Sequence, residues 1–204
     1  MSRIISRVPT NFDAKNTAFP YQIQAVMTLK DLDYSAIFHE QGLGKTKIAI
    51  DLLLYWLQKR DIDTVIIVTK KQLVKNWVDE FKTHTYISPK ILSSNKGDNY
   101  YVLNSPAKVI ITNFETLSTD KNRMILFLKC RNTAVIIDES TKLKNPSAKL
   151  TQDFFELAGG GAYDTDYYAN GYLSITDIEY LEKYYIDVTK YDVVIGYRAD
   201  DAYF

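Results

Sequence analysis

Gly42-Leu43-Gly44-Lys45-Thr46 and Val135-Ile-Ile-Asp138-Glu139 are the two stretches whose residue types and spacing could do chemistry together. In the first, glycines let the backbone curl until successive N–H groups point inward, an arrangement suited to phosphate. Lys45 would then reach the β- and γ-phosphates, and the Thr46 hydroxyl would bind Mg²⁺. The strict pattern has another glycine where this sequence has His39. In the second stretch, Asp138 could hold the Mg²⁺ shell and Glu139 could polarise an attacking water. Strands also end in acidic residues because they meet solvent, so the second stretch gains its meaning from the first. Together they read as a site for a nucleoside triphosphate with Mg²⁺.

Such a site needs strands to deliver both stretches to one place. Tyr34 to His39 is a short apolar strand candidate running into the glycines, and an amphipathic helix is expected from Lys45 to Gln58. Thr64–Val68, Tyr101–Leu103, Val109–Ile111 and Ala134–Ile137 read as strands without polar alternation. Helices are expected around Leu73, Trp77 and Phe81, over Met124–Lys129, and over Leu150–Leu157. Apolar strands interleaved with helices predict an α/β fold, a parallel sheet with helices on both faces. In such sheets ligands sit beyond the carboxyl ends of the strands.

Composition sets wide bounds. The chain has 204 residues, 46% of them hydrophobic, 25% charged, and a formal net charge of zero, which neither demands nor excludes nucleic acid. A single cysteine, Cys130, excludes an internal disulfide framework and points to a reducing, cytoplasmic setting. No apolar run reaches the roughly 18 residues of a membrane span, so no membrane partner is expected. Charge is uneven along the chain. Residues 1–158 carry about six net positive charges and residues 159–204 about six net negative ones. About ten of the 16 tyrosines fall in the latter stretch, which opens on Gly159-Gly160-Gly161. These shifts set off an acidic, tyrosine-rich segment (159–204); before it, the motifs span a nucleotide-binding unit (17–158) behind a lead-in (1–16).

Read in order, the motifs resemble the first RecA-like lobe of the Swi/Snf-type helicase-like ATPases of superfamily two, over about residues 17–158. Phe19-Pro-Tyr-Gln22 resembles the upstream element whose glutamine reads the adenine edge. His39-Glu-Gln-Gly-Leu-Gly-Lys-Thr46 resembles the family's D-E-M-G-L-G-K-T. Val65–Val68 with Leu73, Trp77 and Glu80 resembles an apolar strand followed by L-x-x-x-W-x-x-E. Val109-Ile-Ile-Thr-Asn-Phe-Glu-Thr-Leu117 resembles V-I-T-S-Y-E-T-L, and Asp138-Glu-Ser-Thr-Lys-Leu-Lys-Asn145 is similar to D-E-x-H-x-x-K-N.

This resemblance implies a P-loop, RecA-like fold, ATP and Mg²⁺ as cofactors, and double-stranded DNA as partner. It implies a DNA-dependent ATPase that translocates on duplex without separating strands. Gln22, Gly42, Leu43, Gly44, Lys45 and Thr46 would hold the nucleotide, and Thr46 and Asp138 the metal. Lys45, Asp138 and Glu139 would serve catalysis. Lys70, Lys71 and Asn113 would meet nucleic acid, although Lys70, Lys71 and Lys75 read equally well as a solvated face. Trp56 and Trp77 read as core anchors. Lys70 stands where the family usually has proline, and Ser140-Thr141 replaces the pair that helps couple hydrolysis to lobe movement.

Beyond Leu157 the family's T-G-T-P-like strand and second lobe, with its arginine finger, have no counterpart. Lys183, Lys190 and Arg198 are the basic residues after Gly161. The expectation is therefore a motor lobe lacking its second lobe, binding ATP without productive turnover. The alternatives are a non-hydrolysing nucleotide- or DNA-binding fragment that interferes with a full-length relative, or a chimeric reading frame. Tyr184 to Phe204 resembles a Y-D-V-V-I-G-x-x-A-D-D segment of an uncharacterised bacterial family, which implies a non-motor C-terminal segment. Asp166, Asn170, Gly171, Ser174 and Asp177 sit at calcium-loop-like spacing, but Tyr168 occupies a ligand position, and a solvated acidic turn is the expectation.

Overall fold

The computed structural model describes residues 11–32, 34–37, 42–59, 62–138, 148–159 and 193–197. Along the chain these form α1 (Pro20–Leu29), β1 (Tyr34–Ile37), α2 (Lys45–Lys59), β2 (Thr64–Thr69) and, after a 3-10 turn, α3 (Val74–His84). There follow β3 (Lys90–Ile91), α4 (Lys96–Leu103), β4 (Val109–Asn113), α5 (Phe114–Thr119), α6 (Lys121–Cys130), β5 (Thr133–Asp138), α7 (Lys149–Gly159) and β6 (Val193–Tyr197). Sheet order is β1-β6-β5-β2-β4-β3. The expected parallel sheet is present as β3, β4, β2 and β5.

Side chains that alternate along these strands enter two separate cores, which is why the strands lack polar alternation. Val65, Ile67, Val109, Ile111, Ala134 and Ile136 face one way, packing against Ile48, Leu52 and Leu53 of α2 and Trp77 and Phe81 of α3. Ile66, Val68, Ile110, Val135 and Ile137 face the other way, toward Leu103, Phe114, Met124, Phe127 and Leu157. Helices thus cover both faces. Among the described residues no helix is long and apolar enough to cross a membrane.

One expectation changes. Tyr101–Leu103 is the last turn of α4, not a strand. A three-residue apolar run cannot distinguish the two states; the deciding signal lies upstream, where the Asn95 side chain caps the helix by accepting from the Gly97 N–H at 3.0 Å. Asn99 and Leu103, four residues apart, then turn inward together. The next strand of the sheet is the two-residue β3, exposed at both positions and too short to leave a periodic signal.

The C-terminal segment contributes a strand as well. Its residues Val193–Tyr197 enter the sheet itself, antiparallel to β1 on one side and to β5 on the other. The sheet is therefore mixed. β6 satisfies backbone groups of both neighbours that would otherwise form two unpaired edges.

Outside the sheet, one buried carboxylate staples three helices. Asp153 of α7 accepts from Lys121 Nζ at 2.8 Å and from the Ser118 hydroxyl. Burial pushes the Asp153 carboxyl up, but the hydrogen bonds from Lys121 and Ser118 and the charges of Lys121 and Lys149 outweigh it and hold the group below its ordinary value.

Two outcomes are expected. Ile195→Pro, opposite Ser35 and Ile136, removes a ladder donor from an interior strand. Amide exchange at 34–37 and 134–138 should accelerate on the order of tenfold while 109–113 keeps its protection; unchanged rates at both neighbours would show that β6 does not bridge them. For Asp153, a folded-state value below the unfolded one of about 3.9 means its contribution is complete above that pH and lost as pH falls through the lowered value. Asp153→Asn should therefore destabilise the chain in urea at neutral pH, with the difference from wild type shrinking at strongly acidic pH.

Candidate functional site

The glycine turn is built as its composition requires. Gly42 and Gly44 both adopt left-handed backbone, φ 84° and 72°, a region that L side chains rarely enter. The turn feeds directly into α2, whose first helical bond runs from the Ile48 N–H to the Gly44 carbonyl at 3.1 Å. The N–H groups of the opening turn have no partner within the helix and, with the helix dipole, favour an anion there. Gly42 and Leu43 are exposed, and Lys45 and Thr46 are half-buried at the helix start. The inner side of α2 is held rigid by Ile48, Ala49, Leu52 and Leu53, all fully buried. The buried Lys47 pairs with both carboxylate oxygens of Asp51 at 2.5 Å.

α1 braces the turn from outside. Gln22, buried at 4% exposure, accepts from the Phe19 N–H at 3.0 Å and donates to the Leu43 carbonyl at 3.4 Å. Tyr21 donates its hydroxyl to the same carbonyl at 3.2 Å. At the other end of α2, the Trp56 indole donates to the Lys30 carbonyl just beyond α1. The glutamine singled out from the sequence thus lies against the glycine turn.

Asp138 ends β5, and pairing decides where that end lies. Ile37 is opposite Val193, and Val193 is opposite Asp138, so the end of the glycine-turn strand is level with the acid two strands away. With neighbouring strands about 4.8 Å apart, that separation is roughly 10 Å. β1 and β5, each antiparallel to β6, run in the same direction, so the turn and the acid emerge on one edge. Thr69 and Asn113, paired with each other, end β2 and β4 on that edge as well.

Among the described residues, two donors that sequence reasoning did not assign hold the acid. Asp138 Oδ2 accepts from the Trp77 indole N–H at 2.7 Å and from the Thr69 hydroxyl at 2.9 Å. Trp77 is the core anchor expected of it, at 2% exposure, and also a hydrogen-bond donor to this carboxylate. Its signal was present in the L-x-x-x-W spacing after β2, but the target, 61 positions later, could not be seen without the sheet.

The nucleic-acid candidates separate. Lys70 is half-buried, and Lys71 and Lys75 are exposed, immediately beyond the carboxyl end of β2. Asn113 is buried, and its Oδ1 caps α5 by accepting from the Thr116 N–H at 2.9 Å, so the fold gives that side chain a structural task. Glu139, Ser140-Thr141 and the calcium-loop-like residues lie outside the described residues.

Comparison with known proteins identifies the family and the fold. The family model of the SNF2-related domain matches residues 21–160. An uncharacterized ATP-dependent helicase of Mycoplasma pneumoniae is 29% identical over 148 residues, covering 68% of this chain and 14% of that protein. The ISWI chromatin-remodeling complex ATPase ISW1 of Saccharomyces cerevisiae is 28% identical over 65% of this chain and 12% of its own length. The solved SWI2/SNF2 ATPase core of Sulfolobus solfataricus in complex with dsDNA superposes with a TM-score of 0.58, at 17% identity, over 72% of this chain and 31% of that one. That likeness shows a shared fold. The chain thus spans a small part of the curated relatives it matches. Because the family model covers well over half of the sequence, the chain belongs to the SNF2-related domain family.

Proposed function

We propose that this chain binds ATP with Mg²⁺ as the first RecA-like lobe of a Swi/Snf-like, DNA-dependent ATPase that acts on double-stranded DNA. The observation that carries this reading is the common edge: the glycine turn with Lys45 and Thr46 follows β1, Asp138 ends β5, and these two strands run in the same direction. The donor set suits the metal. A threonine hydroxyl and a carboxylate are hard oxygen ligands of the kind Mg²⁺ takes alongside phosphate oxygens. When bound, the metal would neutralise charge on the transferred phosphoryl group.

The chain's own residues divide the remaining work. Backbone amides from Gly42 to Thr46 would cradle the phosphates, and Lys45 would meet the β- and γ-oxygens. Glu139, next to Asp138 in sequence, would position the water. Gln22 would contact the adenine edge while bracing Leu43. Lys70 and Lys71, beyond β2, would touch the DNA backbone, a contact that positions duplex without reading its sequence. The relatives, an ATP-dependent helicase and a chromatin-remodeling ATPase by name, support the nucleotide. The dsDNA in complex with the Sulfolobus ATPase core supports the partner. A cation supplied opposite the γ-phosphate would stabilise the charge that develops during turnover.

Titrating a fluorescent ATP analogue with Mg²⁺ tests the site. Lys45→Ala should weaken binding by about tenfold or more, the loss of a charge-assisted contact; unchanged affinity would defeat the phosphate assignment. Gly44→Ala should fail in two ways at once. Its φ is left-handed, and an added Cβ would come within 2.4 Å of Gln22 Nε2. A stability loss of about 1–2 kcal/mol in urea is expected, together with weaker nucleotide binding.

A further inference from the structure

Trp77 and Thr69 converge on a single atom, Oδ2 of Asp138. A carboxylate oxygen offers about two lone-pair directions, so two donors on one oxygen fix the plane of the group as well as its position. The direction of Oδ1 is then set by the fold, not by free rotation of the side chain. Both donors are themselves immobile. Thr69 is fully buried at the end of a central strand. Trp77 is buried in the core shared by α2 and α3, with Phe81 at 6.3 Å between ring centroids. Phenylalanine or leucine would fill apolar space at position 77. What the indole adds is a buried N–H, and its partner is this carboxylate.

Thr69 and Trp77 also belong to one short segment. It leaves β2, passes Lys70 and the exposed Lys71 and Lys75, and re-enters the core at Trp77. Asp138 is clasped by both ends of it. A group whose orientation depends on two fixed donors is a preorganised ligand, one that needs little rearrangement when it meets a cation.

We propose that Trp77, assisted by Thr69, is a positioning residue that orients the Asp138 carboxylate for the magnesium of a bound nucleotide. The proposal rests on the ATP/Mg²⁺ reading above, but its first test does not require nucleotide. In the full chain labelled with ¹⁵N, the two tryptophans give two indole N–H resonances, assigned by their loss in Trp77→Phe and Trp56→Phe. Asp138→Asn should shift the Trp77 resonance and leave that of Trp56, bonded to the Lys30 carbonyl, in place. A Trp77 resonance indifferent to Asp138→Asn would overturn the clasp.

The second test separates positioning from simple packing. A fluorescent ATP analogue is titrated with Mg²⁺ and again with excess EDTA. Trp77→Phe should reduce the gain in affinity that magnesium confers by about tenfold, leaving the EDTA titration unchanged. Thr69→Val, which keeps shape and removes the hydroxyl, should act in the same direction and guards against a folding defect in Trp77→Phe. Equal weakening with and without magnesium in both variants would overturn the positioning role. If the wild-type chain gains nothing from magnesium while its indole still follows Asp138, the nucleotide reading and the magnesium role fail, and the clasp alone survives.

Discussion

Parallel pairing of β2 with β4 and β5 is the constraint from which the candidate site follows. Val68 lies opposite Ile137 and Thr69 opposite Asn113, so the strand ends reach one edge at one level. A slip of one residue in β5 would exchange its two faces, sending Val135 and Ile137 into the core now filled by Ala134 and Ile136. Ala134 and Ile136 are fully buried against the α2 side, and Val135 and Ile137 are buried against the other. Packing on both faces therefore locks the register, and the register places Asp138 within reach of Thr69 and Trp77.

The glycine turn depends on a different set of forces. Its backbone is left-handed at two glycines and needs an outside brace, which α1 supplies through Gln22 and Tyr21 on the Leu43 carbonyl. α1 is held in turn by Ala25, Val26 and Leu29 against the α2 core. The helix that would meet phosphate and the helix that would meet adenine are thus one packed unit. A substitution in their shared core should disturb both contacts together.

What the sequence made legible was local or strongly patterned. The α2 helix is legible because Ile48, Ala49, Leu52, Leu53 and Trp56 recur at helical spacing, and all five are buried. The central strands are legible because runs such as Val65–Val68 carry no polar residue. Tyr101–Leu103 misleads because three apolar residues fit either period, and the cap at Asn95 that decides for helix lies outside the run. β3 is too short to show any period. β6 could not be placed, because its partners in β1 and β5 are distant in sequence and nothing in Val193–Tyr197 specifies them. The two donors to Asp138 were hidden for the same reason: Trp77 reads as an ordinary core residue until the sheet brings the acid to it.

The segment from Thr69 to Trp77 gives this arrangement a mechanical consequence. Its ends hold the Asp138 carboxylate through a hydroxyl and an indole N–H, and its middle presents Lys71 and Lys75 to solvent. Hydrogen bonds of 2.7 and 2.9 Å lengthen and weaken with displacements of a few tenths of an ångström. An anion that drew the exposed lysines outward would pull on a segment whose two ends both donate to the acid. Conversely, a cation that stiffened the carboxylate would stiffen the basic segment. Any coupling along this route must be reciprocal in its binding free energies. It would require no movement of the sheet, only a change in how tightly one loop and one helix grip a single oxygen.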